Sequence, residues 1–184
     1  LAFTYLVSIL QIISGFSMNA VNWIVLAYGI STAIGNIWGG RLADKLGPIH
    51  ALQIIFALLV VVLFVFTFSA PYSWLALLAV VFWGAVAFGN IPALQVHVVK
   101  QAERFTLEAV DVASGLNVAA FNLGIVGGAW AGGSIVAHFG FIHTAWVGAL
   151  VVLIALGITT WSGRLDKAAG IDLKAKPMSA VAAH

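Results

Sequence analysis

No cysteine occurs anywhere in these 184 residues, which excludes disulfides, thiolate metal sites and thiol nucleophiles. Charge is nearly as scarce: Asp, Glu, Lys and Arg make up 8% of the chain, against about a quarter in soluble domains. That excludes an ordinary water-soluble globule. The formal net charge of +2 is too small to suggest a nucleic-acid partner. No basic n-region or small-residue cleavage site stands ahead of the first apolar run, so no signal peptide is expected at Leu1. His138 and His143 stand in one turn without further ligands at metal spacing, so neither a metal nor a cofactor is expected.

What the chain has instead is apolar length. Hydrophobic residues account for 62% of it, and at roughly 20 apolar residues per crossing the length accommodates about six membrane helices. From Leu1 to Gly40 there is no Asp, Glu, Lys, Arg or His, and Leu46–Val99 and Val112–Gly163 lack the first four of these. Each of the two later stretches is too long for one crossing. Ser69-Ala70-Pro71-Tyr72-Ser73 divides the first, with Pro where a helix starts, and the His138–His143 turn divides the second. The reading is an all-α polytopic membrane domain over 1–163, with spans at about 1–13, 20–40, 49–68, 72–97, 113–137 and 143–163. The first span would be roughly 20 Å long, short of the roughly 30 Å hydrocarbon core, and is expected to be truncated. Lys100–Asp111, the most charged segment, is expected to be a surface loop with an interfacial helix. Residues 164–184, with Lys174, Lys176 and Pro177, are expected to be a disordered tail. The third and sixth spans, nearly pure aliphatic and aromatic, are expected to face lipid.

All eight Lys and Arg residues fall after the second, fourth and sixth spans. By the positive-inside rule those segments are cytoplasmic, and the carboxyl terminus with them. Trp23, Trp74, Trp130 and Trp146 fall near outer ends, and Trp38 and Trp161 near inner ends, as interfacial belts require. Trp83 is the exception.

One stretch concentrates the charge that the others avoid. In the segment Gly35–Gly47, Arg41, Asp44 and Lys45 arrive together on a turn closed by Gly47 and Pro48. Gly35 and Gly39 stand four apart on one helical face, a spacing that lets membrane helices approach closely. Sliding the sequence until Gly40 lies on Gly133 also lays Gly47 on Gly140, Gly39 on Gly132 and Gly35 on Gly128. The displacement amounts to about three helices, an odd number, so the second copy is inverted in the membrane. That copy has lost the Arg, Asp and Lys, as suits a loop facing outward.

The order Gly39-Gly40-Arg41-Leu42-Ala43-Asp44-Lys45-Leu46-Gly47 resembles the cytoplasmic loop signature of the major facilitator superfamily. A 3+3 inverted repeat is likewise the build of one six-helix half of that fold. Ser114–Gly124, running into Gly127–Gly133, resembles helix eleven of the drug:proton antiporter-type exporters, the branch of the arabinose-efflux and purine-ribonucleoside-efflux permeases. The resemblance covers the chain to about Arg164. It implies a carboxyl-terminal half whose partners are an amino-terminal six-helix half, a small-molecule substrate, the lipid bilayer and protons. It implies efflux by alternating access in a bacterial inner membrane, without enzymatic activity. It further implies a gating loop of Gly40, Arg41, Asp44, Lys45 and Gly47, in which Asp44 meets a helix end of the other half. Arg41 is then expected to pair with Glu103 or Glu108. Where the family loop usually continues with basic residues, Pro48-Ile49-His50 stands here.

Gly124, Gly128 and Gly132 recur every four residues, and Asn117 falls within about 20° of Gly124 on a 3.6-residue helix. One reading is tight packing inside the half; the other is a sliding face against the partner half, shared with Gly35 and Gly39. In the fourth span Trp83, Asn90 and Gln95 interrupt Leu, Ala and Val, and Asn90 stands ahead of Pro92, which frees backbone groups. With Asn117 they form the candidate substrate cavity, against a packing role. No Asp or Glu lies deep in any span, whereas proton coupling needs a buried carboxylate or His. His97 reads as interfacial, so the protonation site is expected in the other half. Two other classes compete. A rhomboid-type intramembrane protease needs Gly-x-Ser-Gly, and Ser114-Gly115 lacks the first Gly; a non-transporting partner or self-assembling half-transporter is the second alternative.

Overall fold

The computed structural model describes residues 2–104, 106, 108–168 and 170. In lipid the backbone must satisfy its own hydrogen bonds, and an apolar chain does so as helix; the described residues contain no strand. A 3₁₀ turn, Ala2–Tyr5, leads into α1 (Leu6–Ile12), followed by α2 (Met18–Leu46), α3 (Pro48–Ser69), α4 (Ser73–Ala102), α5 (Ala109–Phe139) and α6 (His143–Ala168). The five helices α2 to α6 are each long and apolar enough to cross a membrane.

Short polar residues set the breaks. Ser17 caps α2, its hydroxyl accepting from the Ala20 amide at 3.3 Å. Ser14 Oγ donates to the Ala70 carbonyl at 2.6 Å and Ser73 Oγ to the Ser14 carbonyl at 2.8 Å, tying the α1–α2 and α3–α4 turns together at one end of the bundle. At the other end Gly47, with φ 84° and ψ 154°, stops α2, and Pro48 opens α3 directly. Gly140 stops α5 at φ 91° and ψ 168°. These are the two glycines that the internal repeat superposes, so the inverted copies share a backbone stop as well as a glycine spacing.

The most extensive contact joins α2 to α4. A Cβ on Gly35 would land on the backbone of Ala85, one on Gly39 on the backbone of Gly89, and one on Gly84 on the Ser31 hydroxyl. The two helices run parallel, backbone against backbone, in a fixed register. α3 lies between α4 and α6 and buries Leu52, Ile55, Leu59, Leu63 and Phe66. α6 answers with Ala145, Gly148 and Ala149. α5 buries only Gly132. It touches the 3₁₀ turn where Tyr5 Oη donates to the Ala129 carbonyl at 3.2 Å.

Several boundaries differ from the sequence reading. Arg41, Asp44 and Lys45 belong to the last turns of α2, and the break is confined to Gly47, because no residue before it interrupts the helix. Lys100–Ala102 end α4 and Ala109–Asp111 open α5; no interfacial helix intervenes among the described residues. Arg164–Ala168 complete α6 rather than starting a tail. Lys174, Lys176 and Pro177 lie outside the described residues. α3 and α6 each bury one face, so the least covered helix is α5, despite its polar residues.

Candidate functional site

Two of the candidate cavity residues meet. Gln95 of α4 and Asn117 of α5 are both half-buried, and Asn117 Nδ2 donates to Gln95 Oε1 at 2.7 Å. Gln95 Nε2 in turn donates to Ser114 Oγ at 2.9 Å. Ser114 and Asn117, three apart, share the face of α5 that meets α4. In the sequence Ser114 stands out as the opening of the helix-eleven-like stretch and as a rejected nucleophile, not as a partner of Gln95. The usable signal was its helical spacing from Asn117, and its hydroxyl is engaged by an amide rather than by a histidine. Towards the α4 carboxyl end the two helices diverge around a groove of about 430 Å³, lined by His97, Gln101, Ala109, Val112, Ala113 and Leu116 among others.

Trp83 is not a cavity residue. It is 5% exposed, edge-on to Tyr28 with ring centroids 5.9 Å apart and tilted against Phe66 at 5.5 Å. Its seven-residue spacing from Asn90 gives a shared azimuth, but the two differ in depth by roughly 10 Å. At the Trp83 level α2 and α3 close in and bury the ring. Asn90 is half-buried and makes no hydrogen bond among the described residues. Pro92 leaves α4 helical throughout and faces α2, where a Cβ on Gly40 would meet its ring at 3.8 Å.

The glycines divide between the two readings. Gly35 and Gly39 are consumed by packing inside this bundle, against Ala85 and Gly89, and leave no open face. Gly124 is exposed, and a Cβ there would meet nothing within 4 Å. Gly128 is half-buried and Gly132 buried. This face of α5 is therefore uncovered around Gly124, between the Asn117 contact with α4 and the buried Gly132.

At the charged end, Arg41, Asp44 and Lys45 are exposed, and Arg41 has no ion pair with Glu103 or Glu108 among the described residues. The register explains this. Gly39 lies beside Gly89, so Arg41 is level with Ile91, and Glu103 stands roughly 18 Å farther along α4. The carboxyl end of α4 has its own network: Arg104, in the turn just past the helix, donates from Nη1 to Gln101 Oε1 at 2.8 Å, and Gln101 Nε2 donates to Asp166 Oδ1 of α6 at 3.1 Å. Asp166 Oδ2 and His97 Nδ1 are buried without hydrogen-bond partners. Among the described residues no cluster of three or more His, Asp or Glu could hold a metal ion.

Comparison of the sequence with known proteins adds the family to this helical bundle. The family model for the Major Facilitator Superfamily matches residues 1–179. The chain belongs to the major facilitator superfamily. An uncharacterised MFS-type transporter of Bacillus subtilis, YtbD, is 49% identical over 165 residues, covering 90% of this chain and 41% of the relative. The inner membrane transport protein YdhP of Escherichia coli K12 is 34% identical, covering 88% of this chain and 41% of the relative. A probable sugar efflux transporter of Pasteurella multocida is 26% identical, over 84% of this chain and 37% of the relative. The chain thus spans about two fifths of the length of these facilitator relatives. No solved structure matches it. Family and apolar helices together make it an integral membrane protein.

Proposed function

We propose that this chain is one half of a facilitator that exports a small, neutral, hydroxyl-bearing molecule by alternating access, with proton coupling, across a bacterial inner membrane. The observation that carries this reading is the Gln95–Asn117–Ser114 bridge beside the α4–α5 groove. Amides and a hydroxyl held between two membrane-spanning helices can lend donors and acceptors to a substrate and take them back without moving a charge through lipid. The name of the Pasteurella relative, a probable sugar efflux transporter, supports a polyhydroxylated substrate. The described Asp and Glu residues all stand near helix ends, which favours a protonation site in the remainder of the transporter. The ends of α2, α4 and α6 carry the described Lys and Arg and are assigned to the cytoplasm on the positive-inside bias. The uncovered face of α5 is assigned to the rest of the transporter, which the two-fifths coverage of the relatives supports.

The test is transport by the full-length protein. Gln95→Leu and Asn117→Leu should each lower efflux of a labelled sugar about two- to tenfold, since a hydrogen bond nets roughly 0.5–1.5 kcal/mol, while the amount of protein in the membrane stays constant. Wild-type efflux by both variants, across a panel of sugars that the parent exports, would remove the bridge from the substrate path.

A further inference from the structure

We propose that the furrow between the amino end of α3 and the basic carboxyl end of α6 binds the phosphate headgroup of an anionic glycerophospholipid. The site is separate from the amide bridge, which lies on α4 and α5. Its floor is a helix crossing: a Cβ on Gly163 would meet Ile49 Cγ2 at 2.7 Å. Beside that crossing the helices leave a space of about 210 Å³, walled by His50 and Gln53 of α3 and by Thr160, Arg164 and Lys167 of α6. Thr160, Arg164 and Lys167 recur at helical spacing and line one face.

The charge balance favours an anion. Arg164 and Lys167 are exposed and have no acidic partner among the described residues. The nearest carboxylate in sequence, Asp166, is turned towards α4 and takes a hydrogen bond from Gln101. A guanidinium offers a bidentate fork to phosphate oxygens and an ammonium adds a point charge, while Gln53 Nε2 supplies a neutral donor. Basic pockets between helices at this level of a membrane suit anionic headgroups.

The apolar continuation distinguishes a lipid from a free anion. One turn deeper on the same face of α6 is Gly157, where a Cβ would meet nothing within 4 Å, followed by the exposed Leu153. The His50 face of α3 continues with exposed Ala57 and Val61. Acyl chains could run in the trough that these two exposed faces would bound. Trp161, 65% exposed, stands beside it in a position typical of an interfacial anchor. His50 therefore has a setting of its own at the position where the family loop carries further basic residues.

The experiment uses the purified full-length transporter in phosphatidylcholine vesicles containing spin-labelled phosphatidylglycerol. Arg164→Gln and Lys167→Gln should each reduce the preference for phosphatidylglycerol over phosphatidylcholine about fivefold, the effect of one cation near an anionic surface. Removing two charges elsewhere on the same side, Arg41→Gln with Lys45→Gln, should have a much smaller effect. Gly157→Phe keeps every charge but fills the trough, and should weaken retention of the lipid label. It also decides the matter if the charge variants fail to insert. Equal losses from the two charge pairs would reduce the effect to a diffuse surface potential, and displacement of the label by inorganic phosphate would mark a site for a free anion. Unchanged retention by Gly157→Phe would remove the lipid. Each of those three results overturns the proposal.

Discussion

α2 and α5 are copies of one element in opposite orientations. Both place glycines four apart, and both stop at a glycine with positive φ and extended ψ. Their surroundings differ. α2 is pressed against α4 along Gly35 and Gly39, while α5 presents Gly124 and Gly127 to open space. The difference lies in the partners. α4 offers Ala85 and Gly89 opposite the glycines of α2, so small residues meet small residues and the backbones come into contact. Nothing among the described residues offers α5 the same. Glycine spacing therefore specifies a surface that can be approached closely, and leaves open what approaches it.

The largest expected effect breaks this comparison directly. Gly39→Leu must push α2 off α4, since even a Cβ would enter the Gly89 backbone; overpacking commonly costs about 1–3 kcal/mol and backbone contact belongs at the upper end. Most of this variant should be lost from the monodisperse peak in detergent. Gly124→Leu in the same chain should elute like the parent, because the position is exposed and a Cβ there meets nothing within 4 Å. In the full-length transporter Gly124→Leu should impair transport if the α5 face has a partner there. Equal loss of folded chain from both substitutions would abolish the contrast.

A smaller effect sharpens it. α5 is held to α4 partly by the Gln95–Asn117 hydrogen bond, and such interhelical bonds in membranes average about 0.6 kcal/mol with a maximum near 1.7. A double-mutant cycle with Gln95→Leu and Asn117→Leu, read by unfolding in mixed detergent micelles, should return a coupling in that range. A coupling of zero would mean that α5 is retained by apolar contact alone.

The class of fold was legible because long runs without charge have few other solutions, and the internal glycine repeat supported the family. What was hidden is relational. The heptad spacing of Trp83 and Asn90 gave an azimuth on α4 but not which helix stood opposite at each depth, so a core tryptophan was read as a cavity wall. Gln95 and Asn117 were each visible as polar residues in apolar helices; their meeting, and the recruitment of Ser114, depends on the crossing of α4 and α5, which no periodicity within one helix encodes. Arg41 was matched to Glu103 or Glu108 without knowledge of how α2 and α4 align, and for Glu103 that alignment decides. The Gly39–Gly89 contact sets a register that keeps Arg41 and Glu103 apart.

The smallest expected effect concerns the charge by which α2 differs from its copy. Asp44 stands in the last turns of α2, exposed, and Gly47 caps α3 without any side-chain hydrogen bond. A carboxylate at a helix carboxyl end opposes the helix dipole by about 0.3–1 kcal/mol, whereas the neighbouring Lys45 complements it. Asp44 thus contributes nothing favourable to its own helix, and any benefit has to be sought outside it. The amino end of a helix in the rest of the transporter would reverse the sign, giving a similar amount of stabilisation when the cytoplasmic side is closed. Asp44→Asn should then leave the stability of this chain unchanged or slightly raised. In the full-length protein it should slow turnover about two- to fivefold, the kinetic equivalent of that energy, and Asp44→Glu should recover part of the loss. Opening of the cytoplasmic side should appear as faster labelling of a cysteine at Ala113, which lines the α4–α5 groove. If Asp44→Asn transports like the parent and labelling at Ala113→Cys is unchanged, the residue only accompanies Arg41 and Lys45 in setting orientation, a role to which an acidic side chain adds little.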